Sequence, residues 1–140
     1  MKSRILSLWL PHLATDRIRL SRRNLTLGRP LATFVDEQSG LRLKAVCPLA
    51  QQAGLTPGMM LSDARAMVLE LAAYPADPKA DAKLEAKLAT WCERYTPWIA
   101  IDRSQNEPTS GSALWLDITG CAHLFGGEDQ LRIDLLARLE

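Results

Sequence analysis

Short apolar runs and amphipathic segments alternate along the first half of the chain. The run Arg4–Leu10 is apolar and aromatic, which predicts a buried strand. Leu13–Arg23 places apolar side chains on one face and arginines on the other, as an amphipathic helix does. Two strand-like runs, Leu31–Val35 and Leu41–Val46, flank a polar segment that ends in glycine. This arrangement predicts a β-hairpin with a five-residue loop, 36–40.

The second half of the chain contains the most regular helical pattern. Short helices are predicted at Pro48–Ala53 and Leu61–Leu71, and a longer one at Glu128–Glu140. One continuous apolar face of helical spacing is formed by Leu84, Leu88, Trp91, Cys92 and Tyr95. We expect this helix to bury Leu88 and Trp91 against a sheet. The strands of that sheet are predicted at Arg4–Leu10, Trp98–Asp102 and Ala113–Ile118.

The order of elements predicts an α+β fold with a ferredoxin-like core. Without residues 28–75 the chain reads strand, helix, strand, strand, helix, which is a βαββαβ unit that lacks its last strand. We therefore expect three segments: a first core part at 1–27, a small α/β insert at 28–75, and a second core part at 76–140. Because the last predicted helix runs to Glu140 without a capping residue, we expect the chain to be a fragment of a longer protein.

Composition excludes several classes of protein. With 47% hydrophobic and 24% charged residues among 140, the chain is neither disordered nor dominated by charge. The longest uncharged runs, 5–15 and 45–62, are interrupted by proline or glycine, so we expect no membrane span and a cytoplasmic location. The three cysteines are widely spaced and form no metal-binding pattern with the two histidines. We interpret them as small buried hydrophobic residues.

The net charge of +1 conceals an asymmetry along the chain. Residues 1–44 contain nine lysines and arginines against three acids, a balance of +6, and the remaining residues balance to −5. A basic segment favours contact with a phosphate backbone. We therefore expect weak DNA binding by the N-terminal third of the chain, with Arg42 and Lys44 as candidate contacts.

Several motifs, in their order along the chain, resemble Y-family (translesion) DNA polymerases. Ala53–Met59 with Leu61–Ala66 is similar to their finger segment, Arg94–Pro97 to the end of their palm helix, and Leu114–Gly120 to a palm strand. More narrowly, four segments resemble the ImuB type of this family, the polymerase-like member of a bacterial damage-induced mutagenesis cassette. They are Leu8–Pro11, Ala14–Arg17, Cys92–Trp98 and Asp117–Gly127.

The resemblance implies that the catalytic metal ligands are absent. Family members hold two metal ions with carboxylates, and the matching positions here are Trp9, Ser112 and Ala113. The aromatic residue that discriminates the sugar falls at Ala14, and the Tyr-x-x-Arg that binds the triphosphate falls at Pro48 and Gln51. Neither a proline nor a neutral amide binds phosphate as a phenol and a guanidinium do. The resemblance thus implies a degenerate active site, no cofactor and no catalytic residue.

By resemblance, the segments 1–27 and 76–140 are two parts of an incomplete palm, and 28–75 is a fingers-like insert. The full protein would then be a non-catalytic adaptor in SOS-induced translesion synthesis, mutagenesis and DNA repair. The partners that the resemblance implies are an error-prone C-family DNA polymerase, the sliding clamp and a RecA-like cassette protein.

Two alternatives remain open on the sequence. An active translesion polymerase would need a relocated metal site built from Asp102, Glu107 and Asp117, although we interpret Asp117 as structural, holding the turn that follows it. A ferredoxin-like nucleic-acid-binding or regulatory module would use exposed aromatic residues on central strands. Trp9 and Trp115 are candidates for that role, although we expect them to be core or sheet-face aromatics.

Overall fold

The computed structural model describes residues 2–22, 28–102 and 111–140, and over these the fold is α+β. Two three-stranded sheets are present in this part of the chain. The elements in chain order are β1 (Ile5–Leu10), α1 (Leu13–Ser21), β2 (Leu31–Glu37), β3 (Gly40–Val46), α2 (Pro48–Gln52), α3 (Leu61–Met67), β4 (Ala72–Pro75), α4 (Pro78–Cys92), β5 (Ile99–Ile101), β6 (Ser112–Asp117), a 3₁₀ turn (Ala122–Phe125) and α5 (Glu128–Leu139).

The described residues form two compact units. The first unit contains residues 2–9, 85–102 and 113–140, and the second contains 10–22, 28–84 and 111–112. The α+β class is confirmed, whereas the division into segments 1–27, 28–75 and 76–140 stays a prediction. No helix in the described ranges is long and apolar enough to span a membrane.

In the first unit the strand order is β1-β6-β5, which puts the third strand of the predicted βαββα unit between the other two. β5 and β6 are antiparallel, with Ala100 opposite Trp115. Side chains alternate along β6: Leu114 and Leu116 are fully buried and Trp115 is exposed. Because successive strand residues point to opposite faces, the sheet has one apolar buried face and one open face.

The apolar face of α4 is less deeply buried than its spacing predicts. Leu88 and Trp91 are only half-buried, whereas Cys92 and Tyr95 are fully buried. The phenol of Tyr95 donates a hydrogen bond to Asp134 of α5 at 2.6 Å. Burial first, and then this bond, raises the pKa of Tyr95 to about 12. The tightest packing therefore lies at the end of α4, and Leu88 and Trp91 line a groove of about 360 Å³ beside Leu139.

In the second unit the strand order is β3-β2-β4. The predicted hairpin is present, but its strands extend to Glu37 and Gly40, which pair directly and leave a two-residue turn instead of a five-residue loop. Gly40 has a φ of +123°, which a glycine adopts without strain, so the turn can be this tight.

The predicted helix 61–71 is wrong in its second half. α3 ends at Met67, and Ala72–Pro75 forms β4, which pairs in parallel with β2. Val68, Leu71 and Ala72 are buried after the helix ends. An extended conformation lets these residues reach the hydrophobic core beside β2, and this pairing overrides their local helical pattern.

Two of the three cysteines are fully buried, as expected, and Cys121 is partly buried. Cys47 is also the N-terminal cap of α2. Its sulfur accepts the backbone N–H of Ala50 at 3.4 Å and that of Leu31 at 3.2 Å. Cys47 thus joins α2 to β2, a role that its position in the sequence does not indicate.

Candidate functional site

The pairing of β1 with β6 positions the first candidate residues. The N–H of Ile118 donates to the carbonyl of Arg4 at 2.9 Å, and the N–H of Arg4 donates to the hydroxyl of Thr119 at 2.8 Å. The start of β1 therefore meets the end of β6. Since the two strands are neighbours in the sheet, they run antiparallel. Trp9, near the end of β1, consequently lies close to Ala113, near the start of β6.

Neither of these neighbouring positions offers a metal ligand. The indole of Trp9 is 51% exposed on the open face of the sheet, where the resemblance places a carboxylate. The methyl side chain of Ala113 has no donor atom, and its carbonyl accepts the N–H of Asp102 at 2.9 Å. Ser112, the first residue of β6, is buried. Hard divalent cations prefer carboxylate oxygens, and these three side chains supply none.

The relocated metal site is not assembled by the residues that the structure describes. Asp102 is bonded to Ala113 at the start of β6, and Asp117 is bonded to Trp98 at its end. At about 3.3 Å per residue, four residues of strand separate the two aspartates by roughly 13 Å, too far to share one cation. Glu107, the third member, lies outside the described residues. No group of three or more histidine, cysteine, aspartate or glutamate side chains in the described ranges could hold a metal ion.

Asp117 instead stabilises the turn after β6. Its carboxylate accepts the N–H of Thr119 at 3.0 Å, and its carbonyl accepts the hydroxyl of Thr96 at 2.6 Å. Hydrogen bonds from Thr119 lower the pKa of Asp117 below its ordinary value, so it is an anion at neutral pH. The interpretation of Asp117 as a structural residue is confirmed.

The second unit holds the three positions that the resemblance assigns to nucleotide binding. Ala14 is buried in α1. Pro48 is the first residue of α2, where its missing N–H costs nothing, and Gln51 lies exposed one turn later. None of these side chains carries a charge that could neutralise a triphosphate.

The candidate DNA contacts Arg42 and Lys44 lie on β3 and differ in their surroundings. The guanidinium of Arg42 donates to the Ser39 hydroxyl at 3.1 Å and to the Gly58 carbonyl at 2.9 Å. It is also 3.7 Å from the Glu37 carboxylate. These bonds hold the hairpin turn, so Arg42 has a structural role that the sequence did not indicate. Lys44 is exposed.

The open face of the first sheet carries a cluster of tryptophans. Trp115 is 42% exposed and Trp9 51% exposed, so both are sheet-face aromatics, one of the two placements expected of them. Trp98, which precedes β5, is 69% exposed and was not singled out from the sequence. The signal that could have found it is its alternation with Ala100, the residue opposite Trp115. We call Trp9, Trp98 and Trp115 the tryptophan face.

Comparison with curated proteins gives matches over part of the chain. No protein-family model matches it. Over 87 residues it is 46% identical to Protein ImuB of Caulobacter vibrioides strain NA1000 / CB15N, and equally to that of strain ATCC 19089. The chain is a homologue of ImuB. The matched region is 61% of this chain but only 17% of the Caulobacter ImuB protein, so the chain spans a small part of the curated relatives it matches.

Solved structures establish the fold over nearly the whole chain. The Dbh ternary complex matches 96% of this chain and 35% of its own, with a TM-score of 0.70 and 13% identity. DinB from Sulfolobus solfataricus matches 96% of this chain and 37% of its own, also with a TM-score of 0.70 and 13% identity. This ImuB homologue therefore has the fold of the N-terminal part of Y-family polymerases, as its motifs predicted.

Proposed function

We propose that this chain is the polymerase-like part of a non-catalytic adaptor in SOS-induced translesion synthesis and DNA repair. The observation that carries the proposal is the chemistry of two adjacent strands. Trp9 and Ala113 lie together on neighbouring strands, at positions where the resemblance to an active polymerase requires carboxylates. An apolar indole and a methyl group cannot hold the metal pair that nucleotide transfer needs.

The proposed partners follow from the relationship to ImuB and from charge. We propose that the full protein brings an error-prone C-family DNA polymerase to lesions, together with the sliding clamp and a RecA-like cassette protein. In this proposal the segments 1–27 and 76–140 form the palm and 28–75 the fingers. DNA contact is weak and depends on the basic N-terminal third of the chain, balanced at +6 over residues 1–44.

We expect no template-dependent primer extension by this chain with either Mg²⁺ or Mn²⁺. Restoring carboxylates with Trp9→Asp, Ser112→Asp and Ala113→Glu together leaves extension absent, because Pro48 and Gln51 still supply no triphosphate contact. The measurement is nucleotide incorporation on a labelled primer-template.

The matched control for that assay is the variant Asp102→Asn with Asp117→Asn. Extension that persists through purification and disappears in this double variant belongs to the chain itself, and it would favour an active polymerase with a relocated site. Extension that the double variant leaves unchanged does not depend on these aspartates.

For DNA binding, we expect Lys44→Gln to weaken affinity and to reduce the slope of log K against log salt concentration by about 1, the effect of one lost phosphate contact. The control is Lys83→Gln, because Lys83 is also exposed but lies on α4 outside the basic third. Titrations of primer-template DNA at several salt concentrations measure both variants. Equal slopes for the two variants would refute a contact at Lys44. Arg42 is left unchanged because it stabilises the hairpin turn.

A further inference from the structure

The tryptophan face leaves three aromatic side chains exposed in the part of the chain that the structure describes. Its three indoles are between 42% and 69% exposed, and Ile5 on β1 is 53% exposed on the same face. Trp115 lies on the central strand, with Trp9 on one neighbouring strand and Trp98 beside the other. Clustered, exposed apolar surface of this kind marks a site of interaction, whereas isolated exposed apolar residues are ordinary.

Among the residues that the structure describes, the charged side chains on the tryptophan face are acidic. Asp117 follows Trp115 by two residues and therefore points to the same face, where its backbone is bonded to Trp98. By the same alternation Asp102, bonded to Ala113, lies on this face at the other end of β6. No lysine or arginine occupies a described position on this face, either within the three strands or directly flanking β5. Those positions are Ile5, Ser7, Trp9, Trp98, Ala100, Asp102, Ala113, Trp115 and Asp117.

We propose that the tryptophan face docks a segment of a partner protein in which arginine or lysine side chains alternate with apolar ones. Tryptophan is the best aromatic acceptor for a cation–π contact, and its indole also gives apolar area to an aliphatic neighbour. A carboxylate beside Trp98 complements the cation that stacks there. The proposal rests on the adaptor function proposed above, because it assigns a protein-binding role to the sheet face that carries Trp9 where the resemblance places a carboxylate.

A nucleic acid fits this face less well. Exposed aromatics on a sheet can stack unpaired bases, but proteins that bind single strands combine such stacking with a positively charged groove. At the described positions of this face the charged residues are aspartates, which repel the phosphate backbone. The balance of aromatic and anionic groups therefore favours a cationic protein segment.

The test uses the whole chain and three labelled probes: a short capped peptide of repeating Leu-Arg, its charge-reversed Leu-Glu counterpart, and oligo-dT. Fluorescence anisotropy measures the affinity of each. We expect the Leu-Arg peptide to bind most tightly. Removing Trp9 and Trp115 together, as Trp9→Ala with Trp115→Ala, weakens its binding by about two- to fivefold for each indole. Asp117→Asn, which keeps an oxygen acceptor for Thr119, weakens it less and reduces its salt dependence.

The matched control is Leu136→Ala, which removes an apolar side chain that is 49% exposed on α5, an element outside the strands that carry the tryptophan face. This variant should bind the Leu-Arg peptide as the parent does. The proposal is overturned if the Leu-Arg peptide does not bind, if the Leu-Glu peptide binds as well, or if the tryptophan variant binds unchanged. Tighter binding of oligo-dT that is lost in the tryptophan variant would assign the face to single-stranded nucleic acid instead. None of these results depends on polymerase activity, so the two proposals can fail separately.

Discussion

Leu116→Ala should lower the free energy of unfolding by about 2–5 kcal/mol, the range for a buried leucine replaced by alanine. Leu116 is fully buried on β6, the central strand of the first sheet, opposite Ile99. Because it is held between two neighbouring strands, the surrounding structure cannot easily close the cavity that its removal leaves. Urea denaturation followed by circular dichroism measures the change.

Two leucines of the same unit provide controls for that experiment. Leu124→Ala should stay within about 0.5 kcal/mol, since Leu124 is 72% exposed. Leu88→Ala should fall between the two, because the side chain is only half-buried in the groove beside α5. If Leu88→Ala is as destabilising as Leu116→Ala, then the apolar face of α4 is buried as its spacing predicts, and the half-buried placement of Leu88 is wrong.

Thr33→Val should destabilise the second unit by about 1–3 kcal/mol, although valine has the same shape and favours strands. The register of β2 with β3 shifts between Thr33 and Phe34, so Lys44 is an extra residue in β3. The N–H of Ala45 donates to the Thr33 hydroxyl at 3.1 Å, and both residues are buried. Valine leaves that N–H buried without an acceptor, which costs its desolvation free energy.

Thr33→Ser is the matched variant, because serine keeps the hydroxyl and loses only a methyl group. It should be less destabilising than Thr33→Val in the same denaturation experiment. The opposite order would mean that the methyl group contributes more than the hydrogen bond, and that the Ala45 amide finds another acceptor at the bulge.

Much of the fold could be predicted from local pattern. Three local patterns each predict one element: the amphipathic run that starts at Leu13, the alternation from Ser112 to Asp117, and Pro48 at the start of α2. Hydrophobic periodicity and the restricted backbone of proline act over only a few residues, so these patterns can be recognised without the tertiary structure. The sequence also shows directly that Trp9 and Ala113 carry no carboxylate, once the motifs have aligned these residues with the metal-binding positions of the family. No tertiary contact is needed to know which functional groups a side chain lacks.

Other features required the three-dimensional structure, because they depend on residues far apart in sequence. The run after Met67 becomes β4 only because β2 offers it backbone partners. The guanidinium of Arg42 stabilises the hairpin turn through bonds to Ser39 and Gly58, a role that its position in the sequence does not indicate. Because β5 and β6 run antiparallel, Asp102 lies beside the start of β6 and Asp117 lies at its end.

By itself the sequence determined the α+β class and the relationship to Y-family polymerases, and it shows that Trp9, Ser112 and Ala113 carry no carboxylate. Only the tertiary structure decided how deeply each apolar face is buried, and hence that Trp9, Trp98 and Trp115 share an open face while Leu88 is half-covered. Periodicity shows which side chains share a face. What covers that face depends on strand order and helix placement, which are set by contacts between distant parts of the chain.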